Sequence, residues 1–298
     1  MRGSSKDNPN PFLAIWEHKV VGIQSYLQRQ AKKIDKALGS YLPKENEHPT
    51  KLHEAMRYAV LSGGKRIRPI LALAACQAVG GDEKEVIPAA CALEIIHNYS
   101  LVHDDLPCMD DDDSRRGKPT CHKKFGEDIA VLAGDALLTL AFKILTSLNG
   151  ARTAKYLERQ LNAARLIADA IGTHGMVGGQ AVDMEFQKKE TDLPTIQYIN
   201  THKSGALISV SARVGACLGE GTRGQVESLY RYGKCIGLLF QIVDDILDRE
   251  GYAKVIGVPE ARREAARLHL NAKRELRSFG RRAEPLSQLT DFVLTRER

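Results

Sequence analysis

Residues 89–117 read AACALEIIHNYSLVHDDLPCMDDDDSRRG. An apolar stretch with helical spacing runs into six aspartates within ten positions, then two arginines. Each aspartate raises the cost of ionising its neighbours, so something positive must offset the cluster, or else it is a solvated tail. The flanks decide between the two. The segment that follows, EDIAVLAGDALLTLAFKIL (127–145), is as apolar and helical in pattern as the one before. An acidic cluster held between two buried helices is not a loose tail.

The same periodicity extends along the chain. In residues 11–38, Leu13, Trp16, Val20, Ile23 and Leu27 fall on one helix face. Further helices are predicted at Lys51–Leu61, Ile67–Val79, Ile87–His103, Ile129–Leu148, Thr153–Ile171, Leu193–Leu218, Gly224–Leu247 and Pro259–Phe279. The breaks carry Gly or Pro: SGGKRIRP, AVGGDEKEVIP, GTHGMVGG, CLGEGT. No βαβ unit, linker or internal repeat is visible. The expected fold is all-α, one domain over residues 1–298, a single large bundle of about ten or more helices. Residues 1–5, MRGSS, read as an expression leader.

Composition narrows the function classes. Of 298 residues, 43% are hydrophobic and 27% charged, as in ordinary globular chains. No apolar run is expected to reach the roughly 20 residues of a membrane span, and no signal-peptide core is seen. The net charge of +6 comes without a basic run interleaved with aromatics, so no nucleic acid partner is expected. The basic stretch EARREAARLHLNAKRELRSFGRRAE reads as a solvated helix face. Cys76, Cys91, Cys108, Cys121, Cys217 and Cys235 lack CxxC spacing, which fits reduced thiols and a cytoplasmic location.

Four polar clusters carry chemistry. SGGKRIRP puts Lys65, Arg66 and Arg68 at a helix start, where they oppose the helix dipole and a bound phosphate would compensate them. His97 shares a helix face with Asp104 and Asp105. Asp104 and Asp105 end that helix, Pro107 disturbs the next turn, and Asp110 returns a carboxylate. Oxygen ligands without thiolates suit Mg²⁺, which binds through one or two carboxylates plus substrate phosphates. Arg115 and Arg116 follow as phosphate contacts. In FQIVDDILD, the residues Gln241, Asp244, Asp245 and Asp248 form one polar stripe on an otherwise apolar helix. Buried carboxylates there need a partner or a metal. Two aspartate-rich helices and two basic sites together describe a cavity in which Mg²⁺ on both walls holds a polyphosphate.

The motifs GGKRIRP, HNYSLVHDDLPCMDDDDSRRGKPTCH, AGDALLTLAF, GGQAVDM, HKSGALI and GLLFQIVDDILD, in that order, resemble the trans-isoprenyl diphosphate synthase family. The likeness runs over nearly the whole chain from about residue 50. It implies an all-α bundle around a deep central cavity, a homodimer, Mg²⁺ as cofactor, and isopentenyl and allylic diphosphates as substrates. By resemblance, Lys65, Arg68, His97 and Arg116 form the isopentenyl diphosphate site. Asp104 and Asp110, with Asp105, are Mg²⁺ ligands of the first motif. Arg115, Lys203, Ser204 and Gln241 contact the allylic diphosphate, Ser204 standing where the family usually has Thr. Asp244, supported by Asp245 and Asp248, is a Mg²⁺ ligand of the second. Asp104, Asp105, Asp110, Arg115, Lys203 and Asp244 make up the expected catalytic set.

One departure follows Asp248. The segment REGYAKVIGVPEARR is about twenty residues shorter than the family's connection, which carries a further Lys toward the allylic diphosphate. Product length is read from the helix before Asp104. Ser100 and Tyr99 lie four and five residues back, about 6–7.5 Å along the axis. An aromatic ring there, with the Pro107–Cys108 expansion, resembles the bacterial farnesyl diphosphate type. The expected product is farnesyl diphosphate, C15, with geranylgeranyl diphosphate as the alternative. A terpene cyclase would not need the site at Lys65, Arg68 and His97, and a non-catalytic partner subunit would not keep both aspartate sets.

Overall fold

The computed structural model describes residues 11–147, 153–187, 189 and 191–296, with side chains from residue 22 onward. Residues 1–5, expected as an expression leader, lie outside the described residues, as do the side chains of Leu13, Trp16 and Val20.

The chain opens with α1 (Pro11–Tyr41), which buries Ile23, Tyr26, Ile34 and Leu38 along one stripe. Next come α2 (Thr50–Leu61), α3 (Ile67–Val79) and α4 (Glu83–Asp104). α3 is buried on nearly every side because two separate cores meet on it. Ala72, Leu73 and Cys76 face one core, with α4, α6 (Glu127–Thr146) and α7 (Ala154–Ile171). Ile70, Leu71 and Ala74 face the other, with α11 (Arg223–Asp248), α13 (Val258–Glu275) and α14 (Glu284–Thr295). α10 (Ala206–Leu218) likewise contributes to both. α4 starts on Asp82, whose carboxylate accepts from Lys84 N, with Glu83 and Glu85 favourably placed at the positive end of the helix dipole. It ends at Asp104, so the first aspartates sit on the last turn of a buried element.

Between α4 and α5 (Cys121–Phe125) the chain forms a two-residue ladder, β1 (Ser114–Arg115) against β2 (Lys118–Pro119). Arg116 and Gly117 between them have φ of 54° and 74°. Positive φ at both central residues is the requirement of a type I′ hairpin, and Gly117 meets it without strain. This tight turn fixes where Arg115 and Arg116 project.

The remaining helices are α8 (Met176–Phe186), α9 (Leu193–Ile199) and α12 (Gly251–Ile256). The single helix predicted over Leu193–Leu218 is interrupted by a π-turn, Asn200–Gly205, between α9 and α10. Such turns recur at functional sites because the extra residue re-aims side chains. α11 begins in a capping box formed by Thr222 and Gln225 and runs to Asp248 without a break.

Two expectations need correction. α5, α8, α12 and α14 have no counterpart among the expected helices, α8 starting inside the expected break GTHGMVGG, although Leu286, Leu289 and Val293 of α14 have the spacing of a buried helix face. Nor was any apolar run expected to reach the length of a span, yet α6 is 20 residues of mean hydropathy 1.8, long and apolar enough to cross a membrane by length and composition. In this fold Ala130, Ala133, Leu137, Ala141 and Ile144 of α6 pack into the core.

Candidate active site

A cavity of about 760 Å³ opens between α3, α4, the hairpin, the π-turn and α11. Lys65, Arg68, His97, Arg115, Arg116, Ser204, Gln241 and Asp244 line it. An apolar cavity of about 430 Å³ adjoins it, sharing Arg68, His97, Leu101 and Ser204. Its other lining includes Tyr99, Ser100, Asp104, Met109, Met176, Val177, Met184 and Lys203. A cationic chamber thus opens onto a chamber sized for a short hydrocarbon.

The basic wall is set by Arg66, expected beside Lys65 and Arg68 as a cation for phosphate but satisfied instead by the protein's own carboxylates. Arg66 has φ of 52° and turns its guanidinium inward. It donates to Asp35 Oδ1 at 2.8 Å, Glu94 Oε1 at 2.8 Å and Val60 O at 2.7 Å. A buried cation is tolerated only with such full pairing. Its neighbours Lys65 and Arg68 are left facing the cavity without a hydrogen-bonded carboxylate of their own among the described residues. Arg68 Nε is buried without a partner, and burial pushes its guanidinium down to about 10. Burial, then Arg68, Arg116 and Arg115, hold His97 well below its ordinary range, so its imidazole is neutral at pH 7. Arg116 reaches back to Gly63 O, tying the hairpin to the SGGKRIRP loop.

On the first acidic wall, Asp104 and Asp110 come together because the chain folds back, Asp110 N donating to Asp104 O at 2.8 Å. Burial pushes the Asp104 carboxyl up to about 6, with Lys203 pulling it down and Asp110 pushing it further up. Lys203, projected by the π-turn, holds Asp183 Oδ2 at 2.5 Å. Gln187 donates to Asp110 at 3.3 Å. Asp105 does not join this pair. It is 4% exposed, accepts from Arg115 Nε at 2.7 Å, and lines a small cleft under the hairpin. Arg115 also holds Asp112 at 2.8 Å.

The second acidic wall is already engaged. Asp244 Oδ1 pairs with Arg296 at 2.7 Å, and the Arg296 guanidinium lies 3.7 Å from the Phe240 ring centroid and donates to Phe240 O at 2.7 Å. The Arg296 side chain is 3% exposed. Burial raises the Asp244 carboxyl and Arg296 opposes that rise. Asp245 accepts from Asn200 Nδ2 at 3.2 Å and from Tyr252 N at 2.9 Å, and faces a neighbouring cavity with Asp183 and Glu250. The short connection after Asp248 explains this. Arg249 and Gly251 have φ of 59° and 44°, and a Cβ on Gly251 would lie 2.3 Å from Asp245 Oδ2. α12 therefore starts directly on the Asp245 carboxylate. Asp248 is exposed at the last turn of α11.

Tyr99 is 6% exposed and packs edge-on against His103, with ring centroids 5.9 Å apart. Ser100 donates its hydroxyl to His97 O at 2.9 Å. The cavity residues Met176 and Val177 of α8 have no signal in the sequence beyond their apolarity, and Met184 lies in GGQAVDM, a motif quoted without a role for that residue. Arg296, at the far end of the chain from Asp244, has no spacing that could have announced it. Glu94 and Asp183 could have been suspected as carboxylates inside apolar runs.

The donor set fits Mg²⁺. Asp104 and Asp110 offer only oxygens, in a half-buried place where two adjoining carboxylates need a cation. Asp111, Asp113 and His122 also bring ligand atoms within 4.8 Å of one another, but Lys123 already pairs with Asp113 at 2.7 Å.

Residues 49–261 match the Polyprenyl synthetase family. The chain is 44% identical over 296 residues to the Arabidopsis thaliana heterodimeric geranylgeranyl pyrophosphate synthase large subunit 1, covering 92% of this chain and 79% of that protein. It is equally 44% identical to the Capsicum annuum geranylgeranyl pyrophosphate synthase, over 91% of this chain and 78% of that one. Among solved structures, an FPP/GFPP synthase from Zymomonas mobilis superposes with a TM-score of 0.86 at 39% identity, covering 92% of this chain and 99% of its own.

Proposed function

The chain belongs to the polyprenyl synthetase family, and from that premise we propose that it condenses isopentenyl diphosphate with dimethylallyl and then geranyl diphosphate, yielding farnesyl diphosphate. It is a prenyltransferase of isoprenoid biosynthesis. The observation that carries the reading is the pairing of a cationic chamber with an apolar one, with Ser204 and His97 at their junction.

Mg²⁺, the cofactor of polyprenyl synthetases, withdraws charge from the allylic diphosphate when bound, and Asp104, Asp110 and Asp244 are the residues to hold it. Arg115, Lys203, Ser204 and Gln241 hold the same diphosphate, so that its C–O bond breaks to an allylic cation. Lys65, Arg68 and Arg116 bind the diphosphate of isopentenyl diphosphate, beside neutral His97, and bring its alkene to the cation. A C–C bond forms, and the departing diphosphate takes the proton lost from the adjacent carbon. The apolar chamber keeps water from the cation. Asp105 acts by holding Arg115, and Asp245 and Asp248 support the second wall.

Product length rests on Tyr99. Its buried ring lines the tail chamber five residues before Asp104, which supports C15. The names of the curated relatives favour a second reading, geranylgeranyl diphosphate, C20. Chromatography of the products decides: C15 from the unmodified chain and C20 or longer from Tyr99→Ala support the first reading. Mainly C20 from the unmodified chain establishes the second. Diphosphate release must require both substrates; release from the allylic substrate alone would mark a cyclase.

Val131 and Leu132 of α6 and Leu157 and Leu161 of α7 are exposed apolar side chains, which supports a second copy of the chain as partner. The free cysteines support a reducing, cytoplasmic setting.

A further inference from the structure

The π-turn has two sides. Lys203 and Ser204 face the catalytic chambers, whereas Thr201, His202 and Gly205 line a separate cavity of about 570 Å³. That cavity lies between the turn, α7, α10, α11 and α13, and shares no lining residue with the two catalytic chambers. Its apolar lining includes Leu166, Val210, Leu238 and Leu268.

Its charged lining is unbalanced. Arg213 and Lys234 both stand 4.5 Å from the centroid of the Tyr230 ring. Neither makes an ion pair or side-chain hydrogen bond among the described residues, and Arg213 Nε is buried without a partner. The carboxylate on the lining, Asp169, is paired with Arg165 at 3.0 Å. His174 and His202 add ring nitrogens on the same lining. Half-buried Arg213 and exposed Lys234 thus lie against one ring with no carboxylate partner, and the Tyr230 face offsets only part of that cost. A concave site with an apolar floor and a few convergent polar groups is the form of a small-molecule site.

We propose that this cavity is a second ligand site, for an amphiphile with an anionic head at Arg213 and Lys234 and a short hydrocarbon chain on the apolar floor. A diphosphate ester and a fatty carboxylate share that chemistry, the diphosphate matching two cations better.

The test is calorimetric titration of the full chain with octyl diphosphate, which is saturated and cannot ionise, and in parallel with octanoate. EDTA is present to withhold the metal that the allylic diphosphate needs, and saturating isopentenyl diphosphate to fill the site at Lys65, Arg68 and Arg116. The expected result is one bound octyl diphosphate per chain, with affinity about tenfold or more weaker in R213Q/K234Q. Arg213→Lys should retain most of the affinity. Weaker binding of octanoate assigns the site to diphosphate esters, and equal binding extends it to carboxylates. Neither catalytic rate nor Mg²⁺ dependence should change in R213Q/K234Q, which also shows that the variant is folded. Absence of binding to the unmodified chain, or equal binding by R213Q/K234Q, overturns the proposal.

Discussion

Asp104 at the end of α4 and Asp244 near the end of α11 belong to helices that carry the same Asp-Asp pair, and they meet different surroundings. The first wall leaves Asp104 and Asp110 facing each other, with Lys203 alongside and held by Asp183. The second wall is occupied by the protein's own groups: Arg296 sits on Asp244, and the start of α12 sits on Asp245. Adjoining carboxylates without a paired cation are predisposed to a metal, whereas a carboxylate already in an ion pair must give up that partner first. On the proposed function, the two motifs are expected to act in order, the first taking up metal in the free protein and the second once Arg296 moves.

The largest effect comes from deleting a wall. Asp104→Asn should lower kcat by about 10³-fold and Asp244→Asn by about 10²-fold, with both variants folded by circular dichroism. Equal losses would erase the asymmetry, and near-normal turnover in both would remove the mechanism. Next is the connection that ties down Asp245. Gly251→Ala places a Cβ against the Asp245 carboxylate at positive φ, and should destabilise the protein by about 2 kcal/mol in urea unfolding. An unchanged midpoint would mean that α12 is not anchored there. The smallest effect is the release of Asp244. Arg296→Ala removes a buried competitor, and the Mg²⁺ concentration for half-maximal turnover should fall about fivefold, the equivalent of about 1 kcal/mol. A higher Mg²⁺ requirement in Arg296→Ala would make Arg296 a helper of the second wall and not its lock.

The helical class and the two aspartate walls were legible because they rest on local spacing. The apolar period before Asp104 and the stripe Gln241, Asp244, Asp248 are properties of single helices. Placement within each wall was not legible. Asp104 and Asp105 are neighbours in sequence, yet Asp105 turns away to Arg115 because a type I′ hairpin, set by Arg116 and Gly117, brings that guanidinium beneath it. The π-turn was hidden too. Asn200–Gly205 keeps helical composition, and what re-aims Lys203 is one extra residue per turn, not a change of residue type. The missing length after Asp248 was visible in the sequence, but its consequence needed the fold: with the connection cut short, α12 begins on Asp245. Arg296 reaches its place through α14, an element the periodicity could have given and the motif could not.

The order of the two walls is tested most directly by Mn²⁺ binding to the substrate-free chain, followed by electron paramagnetic resonance, in the unmodified protein and in Asp104→Asn and Asp244→Asn. If the first wall is the one ready in the free protein, that chain binds Mn²⁺, Asp104→Asn abolishes this binding, and Asp244→Asn leaves it unchanged. Loss of substrate-free Mn²⁺ binding in Asp244→Asn, with binding kept in Asp104→Asn, would contradict it.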